Sequence, residues 1–419
     1  MMTRSWALVT LLSLVLLLGG LFFKNGALLA ITLPYLIIAS LPFWRALQGG
    51  SWKLERKIEP EYLWGDQPCE VTLSLTYVGM ALEDVVVSDA IPEGVDVEGR
   101  PFHHGMFRAG QKETLHYSVH GIRGRYKFPG VKVQVVDLLG MTHKEEFLPC
   151  AGTLMVLPTS EPLEKVEISP RRTRAFTGVI RSRESGPGVE FFGTRAYVPG
   201  DPLRHLNWKA GARWDLLITN LFEHERVADV GIILDARQVA EVRINGESLF
   251  EYSVGAALSL ANYFLDEGNR VGLLIYGRFL EWTFPGYGKQ QRAKILAALT
   301  RAELGDHAVF QEFGRLPTRL FPRQSQIVLV SPLLPQDVHP LGYLRALGYR
   351  LMIVSPDPIA FEKRFLPQDE YTTLAEGIAR LERNVTLAKL LRAGAQVVEW
   401  DITVPLRVSM KQLPTGVRR

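Results

Sequence analysis

The sequence predicts a multidomain chain: a transmembrane helical hairpin at 1–50, a β-sandwich at 51–158, a linker and motif segment at 159–229, and a doubly wound α/β domain at 230–419. Three observations predict it. Two apolar runs, Trp6–Phe23 and Ala27 to about Trp44, sit back to back at the start. From Lys53 the apolar residues recur every second position, as on a half-buried strand. From Val230 apolar runs alternate with helix-spaced stripes, as in a parallel sheet covered by helices.

Composition excludes little else. The chain has 419 residues and a formal net charge of +4, too mild to imply nucleic acid as a partner. Its two cysteines, Cys69 and Cys150, form no CxxC, and no His/Cys cluster has zinc spacing. Whether they pair is open at this level.

Trp6–Phe23 is about eighteen residues long, near the minimum that spans a bilayer. Lys24-Asn25-Gly26 makes a polar turn before the second run, which Pro34 and Pro42 interrupt. A signal peptide is the rival reading, but no small-x-small cleavage site follows Leu18. The hairpin puts both ends on one side. Arg4, Arg45, Lys53, Arg56 and Lys57 flank it there against Lys24 alone in the turn, so the positive-inside bias places the rest of the chain in the cytoplasm.

Glu70–Tyr77 alternates cleanly, with Val71, Leu73, Leu75 and Tyr77 on one face. Asp84–Ser88, Thr114–Val119, Gly130–Val136 and Thr153–Leu157 read as further strands. Turns at Gly65-Asp66, Pro92-Glu93-Gly94, Ala109-Gly110, Pro129-Gly130 and Leu139-Gly140 separate them. This spacing predicts an immunoglobulin-like sandwich. Gly121–Phe128 followed by the run to Gly140 reads as strand–turn–strand. His103 and His104 are adjacent in a strand and point to opposite faces, so they do not share one ion.

Pro158, Pro162 and Pro170 mark a linker. Between Arg171 and Arg213 stand nine basic and three acidic side chains. That excess reads as a solvated loop, a segment on anionic lipid, or a docking face for an acidic partner. Gly186-Pro187-Gly188 is no P-loop, since GxxxxGK[ST] is missing. At Val198-Pro199-Gly200-Asp201-Pro202, Pro199 presets φ, Gly200 supplies positive φ, and Asp201 is placed to cap a helix. Leu203–Ala212 then reads as that helix, with Arg204 and Trp208 on one face and Arg213 one turn after Lys209. Leu216–Phe222 is a strand, and Glu223, His224 and Glu225 are candidates to pair with these arginines. The motif proper is expected to lock the structure together, and the flanking Arg171–Arg183 segment to bind.

In the last domain Val230–Leu234 is a continuous apolar run, as in a strand buried on both faces. Ser248–Leu265, Gln290–Leu304, Leu341–Leu347 and Leu374–Leu391 read as helices; Arg270–Tyr276, Phe279–Phe284, Gln326–Ser331, Arg350–Val354 and Ala395–Trp400 read as strands. Phe361–Tyr371 reads as a charged loop and the tail Pro414–Arg419 as unstructured.

The order G-x-G-x-E-F, then R-x-Y-x-P-G-D-x-x-R-x-x-x-W-K-x-x-A-R, then a strand ending in Asp, resembles the signature of the domain-of-unknown-function-58 family. It is carried by Gly186, Gly188, Glu190, Phe191, Arg195, Tyr197, Pro199, Gly200, Asp201, Arg204, Trp208, Lys209, Ala212, Arg213 and Asp235. Ala196 stands where the family has Glu, and Leu206-Asn207 where it has Ile-Asp. The resemblance implies the layout above, with a von Willebrand type A-like fold for 230–419. Such domains hold Mg²⁺ at D-x-S-x-S; this chain has Asp235-Ala236-Arg237-Gln238-Val239. Asp235 is therefore expected to be a degenerate metal site, paired with Arg237 or a motif arginine, and neither metal nor cofactor is expected. The resemblance also implies a MoxR-type AAA+ ATPase as partner, beside the lipid bilayer and other membrane proteins.

No Ser/His/Asp order, reactive Cys or close carboxylate pair points to catalysis. The expected function is a non-enzymatic scaffold or adaptor in the inner (cytoplasmic) membrane, its soluble domains facing the cytoplasm. A metal-independent adhesion or binding module of the cell envelope and an uncharacterised enzyme are the alternatives.

Overall fold

The structure is a computed structural model that describes residues 4–47, 50–65, 67–136, 143–164, 166, 168, 173–277, 280–305, 321–322, 325–367 and 369–411, with the backbone alone at 41–47, 173–190, 192 and 222–226. Asp66, Leu139-Gly140, Pro170–Arg172, Phe279 and the Pro414–Arg419 tail, all singled out in the sequence, lie outside the described residues. The chain divides into two compact units, Met1–Leu157 and Pro158–Arg419.

The first unit begins with two apolar helices, α1 (Arg4–Phe22) and α2 (Gly26–Leu47). Lys24 takes a left-handed φ of 49° in the turn between them, and Asn25 Oδ1 accepts from Ala27 N at 3.0 Å to start α2. Trp6 Nε1 donates to Ala39 O at 3.1 Å, tying the pair. The Ser5–Phe22 window, mean hydropathy 2.2, is long and apolar enough to cross a bilayer, as an anchor or as a signal sequence. Pro34 and Pro42 do not interrupt the second helix, which runs through both.

Among the described residues nine strands follow: β1 (Ser51–Glu59), β2 (Tyr62–Trp64), β3 (Cys69–Val78), β4 (Leu82–Asp89), β5 (Val95–Gly99), β6 (Phe102–Phe107), β7 (Lys112–Gly121), β8 (Gly124–Val136) and β9 (His143–Leu157). They form a four-stranded sheet, β1-β3-β7-β5, and a five-stranded sheet, β2-β9-β8-β4-β6. Val71 of β3 and Val119 of β7 share a buried cluster with Phe128 of β8 and Leu154 of β9, and Leu73 and Leu75 of β3 share a second with Val85 of β4 and Val131 of β8, so alternate side chains of both sheets meet in the interior. Among the described residues of 51–157 there is no helix.

Two sequence expectations change here. Within the described part of Gly121–Gly140, the strand–turn–strand reading becomes the single strand β8, Gly124–Val136. Pro129 lacks an N–H, and the ladder absorbs it as a register shift between Phe128 and Gly130 rather than as a turn. A Cβ at Gly130 would meet Leu148 O at 2.3 Å, so only glycine fits that approach. Arg56, counted with the free positive flank, is buried against Asp89 and also donates to Phe128 O at 3.2 Å. Tyr117 Oη donates to the same Asp89 at 2.6 Å, and burial, then that bond, pushes its phenol well above the usual tyrosine range. Cys69 and Cys150 are free thiols.

The second unit contains β10 (Thr173–Ala196), α3 (Trp208–Trp214), β11 (Ile218–Asp235), β12 (Arg243–Ile244), β13 (Glu247–Ser248), α4 (Leu249–Asp266), β14 (Arg270–Tyr276), β15 (Leu280–Gly286), α5 (Gly288–Arg301), β16 (Gln326–Val330), α6 (Val338–Ala346), β17 (Arg350–Pro356), α7 (Pro358–Lys363), α8 (Glu370–Arg392), β18 (Gln396–Trp400) and α9 (Leu406–Lys411). Its mixed sheet has the order β15-β14-β11-β16-β17-β18. β14, β11, β16, β17 and β18 are parallel neighbours; β15 closes one edge antiparallel. Ile232 and Leu234 face α4 and α5 in one cluster. Ile233, on the other side of the strand, joins α6 and α8 in a second. That double burial is why the strand reads as an unbroken apolar run. Truncating such a side chain, Ile232→Ala for instance, costs about 2–5 kcal/mol.

The boundary drawn at 229/230 falls inside β11, which runs from the motif into the centre of the sheet without a break. The charged loop read at Phe361–Tyr371 is partly helical. Asp357 Oδ1 caps α7 by accepting from Ile359 N at 3.0 Å, and Pro358 sits at its first turn.

Candidate functional site

β11 has two ends, and both carry an arginine–carboxylate arrangement. At its C-terminal end, β14 lies on one side and β16 on the other. The connection reverses direction across β11 there, and in open α/β sheets the crevice beyond such strand ends is where ligands bind. Here that position is filled by the protein. Asp235 closes β11, and Arg237 turns its guanidinium back onto it: Nε to Oδ1 and Nη2 to Oδ2, both 2.8 Å. The other edge of the fork meets Asp337, Nη1 to Oδ1 at 2.9 Å and Nη2 to Oδ2 at 2.8 Å. Ser331 Oγ donates to Asp235 Oδ2 at 2.6 Å, and Leu334 N to Asp337 Oδ2 at 2.9 Å. The side chains of Asp235, Arg237 and Asp337 are 0%, 2% and 1% exposed.

Burial by itself disfavours the cation. The hydrogen bonds and charges of both carboxylates outweigh it and hold the Arg237 pKa above the ordinary arginine value. This answers the metal question on chemistry. A hard divalent ion would need the carboxylate oxygens that the guanidinium already occupies, so the donor set does not fit one. Of the two partners expected for Asp235, the structure selects Arg237. Among the described residues no group of three or more His, Cys, Asp or Glu is placed to hold a metal. His103 and His104 alternate across β6, and His104 pairs with Asp84 instead.

Asp337 and Ser331 were missed in the sequence. Asp337 lies one hundred positions from Arg237, so no local pattern links them. The one available signal is its place in Pro335-Gln336-Asp337, just ahead of α6.

At the other end, the signature motif builds an arm. β10 pairs with β11 antiparallel and, among the described residues, with no other strand. Gly186 and Phe191 both stand opposite Phe222, so Gly188 and Glu190 fall in a bulge between them. The side chains of Arg174, Arg181, Arg183, Glu190, Glu223, His224 and Glu225 lie outside what is described, as do Arg171 and Arg172. Val198-Pro199-Gly200-Asp201 is the expected turn: Asp201 N bonds Val198 O at 3.0 Å, and Gly200 has φ 111°.

Asp201 does not cap the next helix. It reaches back, accepting from Val198 N at 3.1 Å and Arg195 Nη2 at 2.7 Å, and from Thr219 Oγ1 on β11 at 3.3 Å. The Val198 N–H, then Arg195 and Thr219, hold its carboxyl below the usual range against a smaller effect of burial. Tyr197 continues the ladder through its N–H to Leu217 O at 2.8 Å.

The single helix expected over Leu203–Ala212 is two pieces. A short 3₁₀ turn, Leu203–His205, ends where Leu206 bridges Thr219; α3 then starts at Trp208. Its cap is Asn207, whose Oδ1 accepts from Ala210 N at 3.0 Å while its Nδ2 donates to Asn220 at 2.9 Å. Arg204 and Trp208 therefore do not share a helical face. Nor does α3 lock anything by packing, for it buries no residue. Trp208 and Trp214 are each 70% exposed, Leu203, Leu216, Leu217 and Phe191 are exposed too, and Arg204, Lys209 and Arg213 stand among them. A shallow groove of about 370 Å³ runs between α3 and the start of β11, lined by Trp208, Gly211, Ala212 and Leu216–Ile218.

Residues 193–376 match the model of the family described as protein of unknown function DUF58. The match takes in the end of β10, the Pro199-Gly200 turn, α3, the Asp235–Arg237–Asp337 cluster and the sheet as far as the start of α8; Gly186, Gly188, Glu190 and Phe191 lie ahead of it, and from Arg195 onward the resemblance read from the motif holds. The chain is also 25% identical over 255 residues to the uncharacterized protein YeaD of Bacillus subtilis (strain 168), across 59% of this chain and 61% of that protein. The match thus spans about three-fifths of the length of this curated relative. Solved structures with partial likeness include the CARDB domain of the PF1109 protein from Pyrococcus furiosus, at 13% identity, TM-score 0.19, over 26% of this chain and 94% of that one. Another is an Escherichia coli alpha-2-macroglobulin structure, at 14% identity, TM-score 0.23, over 31% of this chain and 20% of that one. Likenesses at those TM-scores carry no argument about what this chain does.

Proposed function

From this match to a family of unknown function, we propose that the chain is a non-enzymatic, membrane-anchored scaffold or adaptor, and that the arm is its docking face. The observation that carries the reading is the exposure of the arm: Trp208 and Trp214 stand in water on α3, which buries no residue, with exposed leucines before and after it and Arg204, Lys209 and Arg213 beside them. Aromatic residues and arginine are what interface centres are enriched in, and a contiguous exposed apolar patch on a folded domain marks an interaction site.

In this proposal α1 and α2 cross the membrane as a hairpin and leave the rest of the chain in the cytoplasm. The paired sheets of 51–157 act as an immunoglobulin-like sandwich. The second unit is a von Willebrand type A-like domain in which a guanidinium stands where relatives of that fold hold a cation. The proposed partner is a MoxR-type AAA+ ATPase, taken from the family resemblance, working with the chain on assembly or maturation of other proteins. Arg237 also bears on the adhesion alternative: with Asp235 and Asp337 already holding its guanidinium, adhesion through a divalent ion at this position is disfavoured.

A pull-down from solubilised membranes, with and without ATP, tests this. An AAA+ ATPase should co-purify with the wild type and be reduced about tenfold by Trp208→Ala with Arg213→Glu. Its absence under both conditions, or equal recovery with the variant, would sink the proposal. A reporter fused to the C-terminus should be active only when read from the cytoplasm.

A further inference from the structure

α8 is amphipathic in an unusual sense: the face it buries is not its most apolar stripe. It is held to the unit through Arg383, Thr386, Leu387 and Leu390, with Arg383 Nη1 donating to Pro332 O at 2.8 Å. The other side carries Tyr371, Leu374, Ile378, Leu381 and Val385 in water; Tyr371 is 85% and Leu381 68% exposed. These five recur at steps of three and four, and the next step falls on the half-buried Ala388. That is the a/d seam of a coiled coil. Taking Tyr371 as a, the residues that hold α8 to its unit all occupy b, c or f, the positions a coiled coil turns outward. The protein uses the outer face for its own core and leaves the seam open.

We propose that this seam pairs with the same seam of a second copy of the chain, antiparallel, as a two-fold dimer. A closed two-fold contact must be complementary to itself, and this stripe is. Run antiparallel about its middle, every a position meets a d position of the copy: Tyr371 against Ala388, Leu374 against Val385, Ile378 against Leu381. The largest side chain faces the smallest, which keeps the layers even. The flanks agree. Ala375 and Gly377 add almost no bulk beside the seam, and a Cβ at Gly377 would meet nothing within 4 Å, so a second backbone can come close.

In that register Glu382 faces Ala375 and Asn384 faces Gly377, so no like charges meet across the contact. The paired stretch is roughly 27 Å long. One helix pair of that length lies at the small end of specific interfaces, below about 1,200 Å² in total. Association is therefore reversible in dilute solution and favoured where two copies are held together on one membrane.

Sedimentation of the full chain in mild detergent reads the assembly. The wild type should form a dimer that dissociates on dilution. Leu374→Lys with Leu381→Lys changes only exposed side chains; it should keep the melting temperature and weaken the dimer at least a hundredfold. To read the register, chains carrying Tyr371→Cys are mixed with chains carrying Ala388→Cys, both in a Cys150→Ser background, and oxidised mildly with copper phenanthroline. A mixed disulfide between the two kinds of chain is expected. A wild type that stays monomeric at about 100 µM, or a dimer that survives the double lysine variant, would remove the seam from the assembly. Tyr371→Cys chains that link to each other in place of the Ala388→Cys chains would overturn the antiparallel register.

Discussion

The two ends of β11 hold the same chemistry in opposite settings. At one end Arg237 binds Asp235 and Asp337 with its whole fork, in the protein interior. At the other Arg195 binds Asp201 through one nitrogen at 2.7 Å, with its own side chain 40% exposed. The contacts are of nearly equal length, yet they do different work. Buried charges have no water to fall back on, so removing one leaves its partners uncompensated. Exposed ones exchange freely with solvent and contribute little to stability. The interior cluster fills the sheet end; the arm stays exposed to solvent.

The largest effect should come from breaking the interior cluster. Arg237→Ala leaves Asp235 and Asp337 buried with no counter-ion, and should lower unfolding free energy by about 3–5 kcal/mol in urea titrations. Arg237→Lys should rescue only part, since one ammonium cannot serve two carboxylates as a planar fork does. If Arg237→Ala melts like the wild type, the two ends do not differ as described.

The arm should show the reverse. Trp208→Ala with Trp214→Ala should shift stability by under about 0.5 kcal/mol, as exposed substitutions do, while partner recovery falls. A large loss of stability would return the motif to the locking role expected of it from the sequence.

The turn at Asp201 sharpens the contrast through pH. Its folded-state pKa is depressed, so what it adds is complete above the unfolded value near 3.9 and is lost as pH falls through the folded value. The Val198 amide should keep its native chemical shift at neutral pH and lose it only in acid below about pH 4. Asp201→Ala should lose it at every pH.

The smallest effect lies in the first unit. Burial, partly offset by a hydrogen bond at Glu59, pushes the Cys69 thiol up to about 11. At pH 8 it should resist alkylation until the sheets unfold. Rapid labelling of the native chain at Cys69 would mean the strand is less buried than described.

Much of this was legible in the sequence, and for a common reason. The alternation at Cys69–Val78, the apolar run ending at Asp235 and the Pro199-Gly200 turn are set by neighbours within a few residues, where pleat, burial and φ act directly. The break between Leu206 and Trp208 was not legible. It depends on Leu206 bridging Thr219 and Asn207 bonding Asn220, strand residues on the far side of a loop. β8 was misread for a similar reason: Pro129-Gly130 is a turn signal locally, and only β9 beside it turns the proline into a bulge.

By itself, then, the sequence determined the kinds of structure and their order, the apolar start, the arginine beside Asp235, and the motif that carries the family resemblance. Only the tertiary structure decided which of two possible partners Asp235 takes, because Ser331 beyond β16 bonds Asp235 itself and Asp337, ahead of α6, holds the other edge of the Arg237 fork. It also decided which face of α8 is core. Periodicity marks an apolar stripe but carries no sign of direction, and here the helix is seated by Arg383, Leu387 and Leu390 with the stripe left outside.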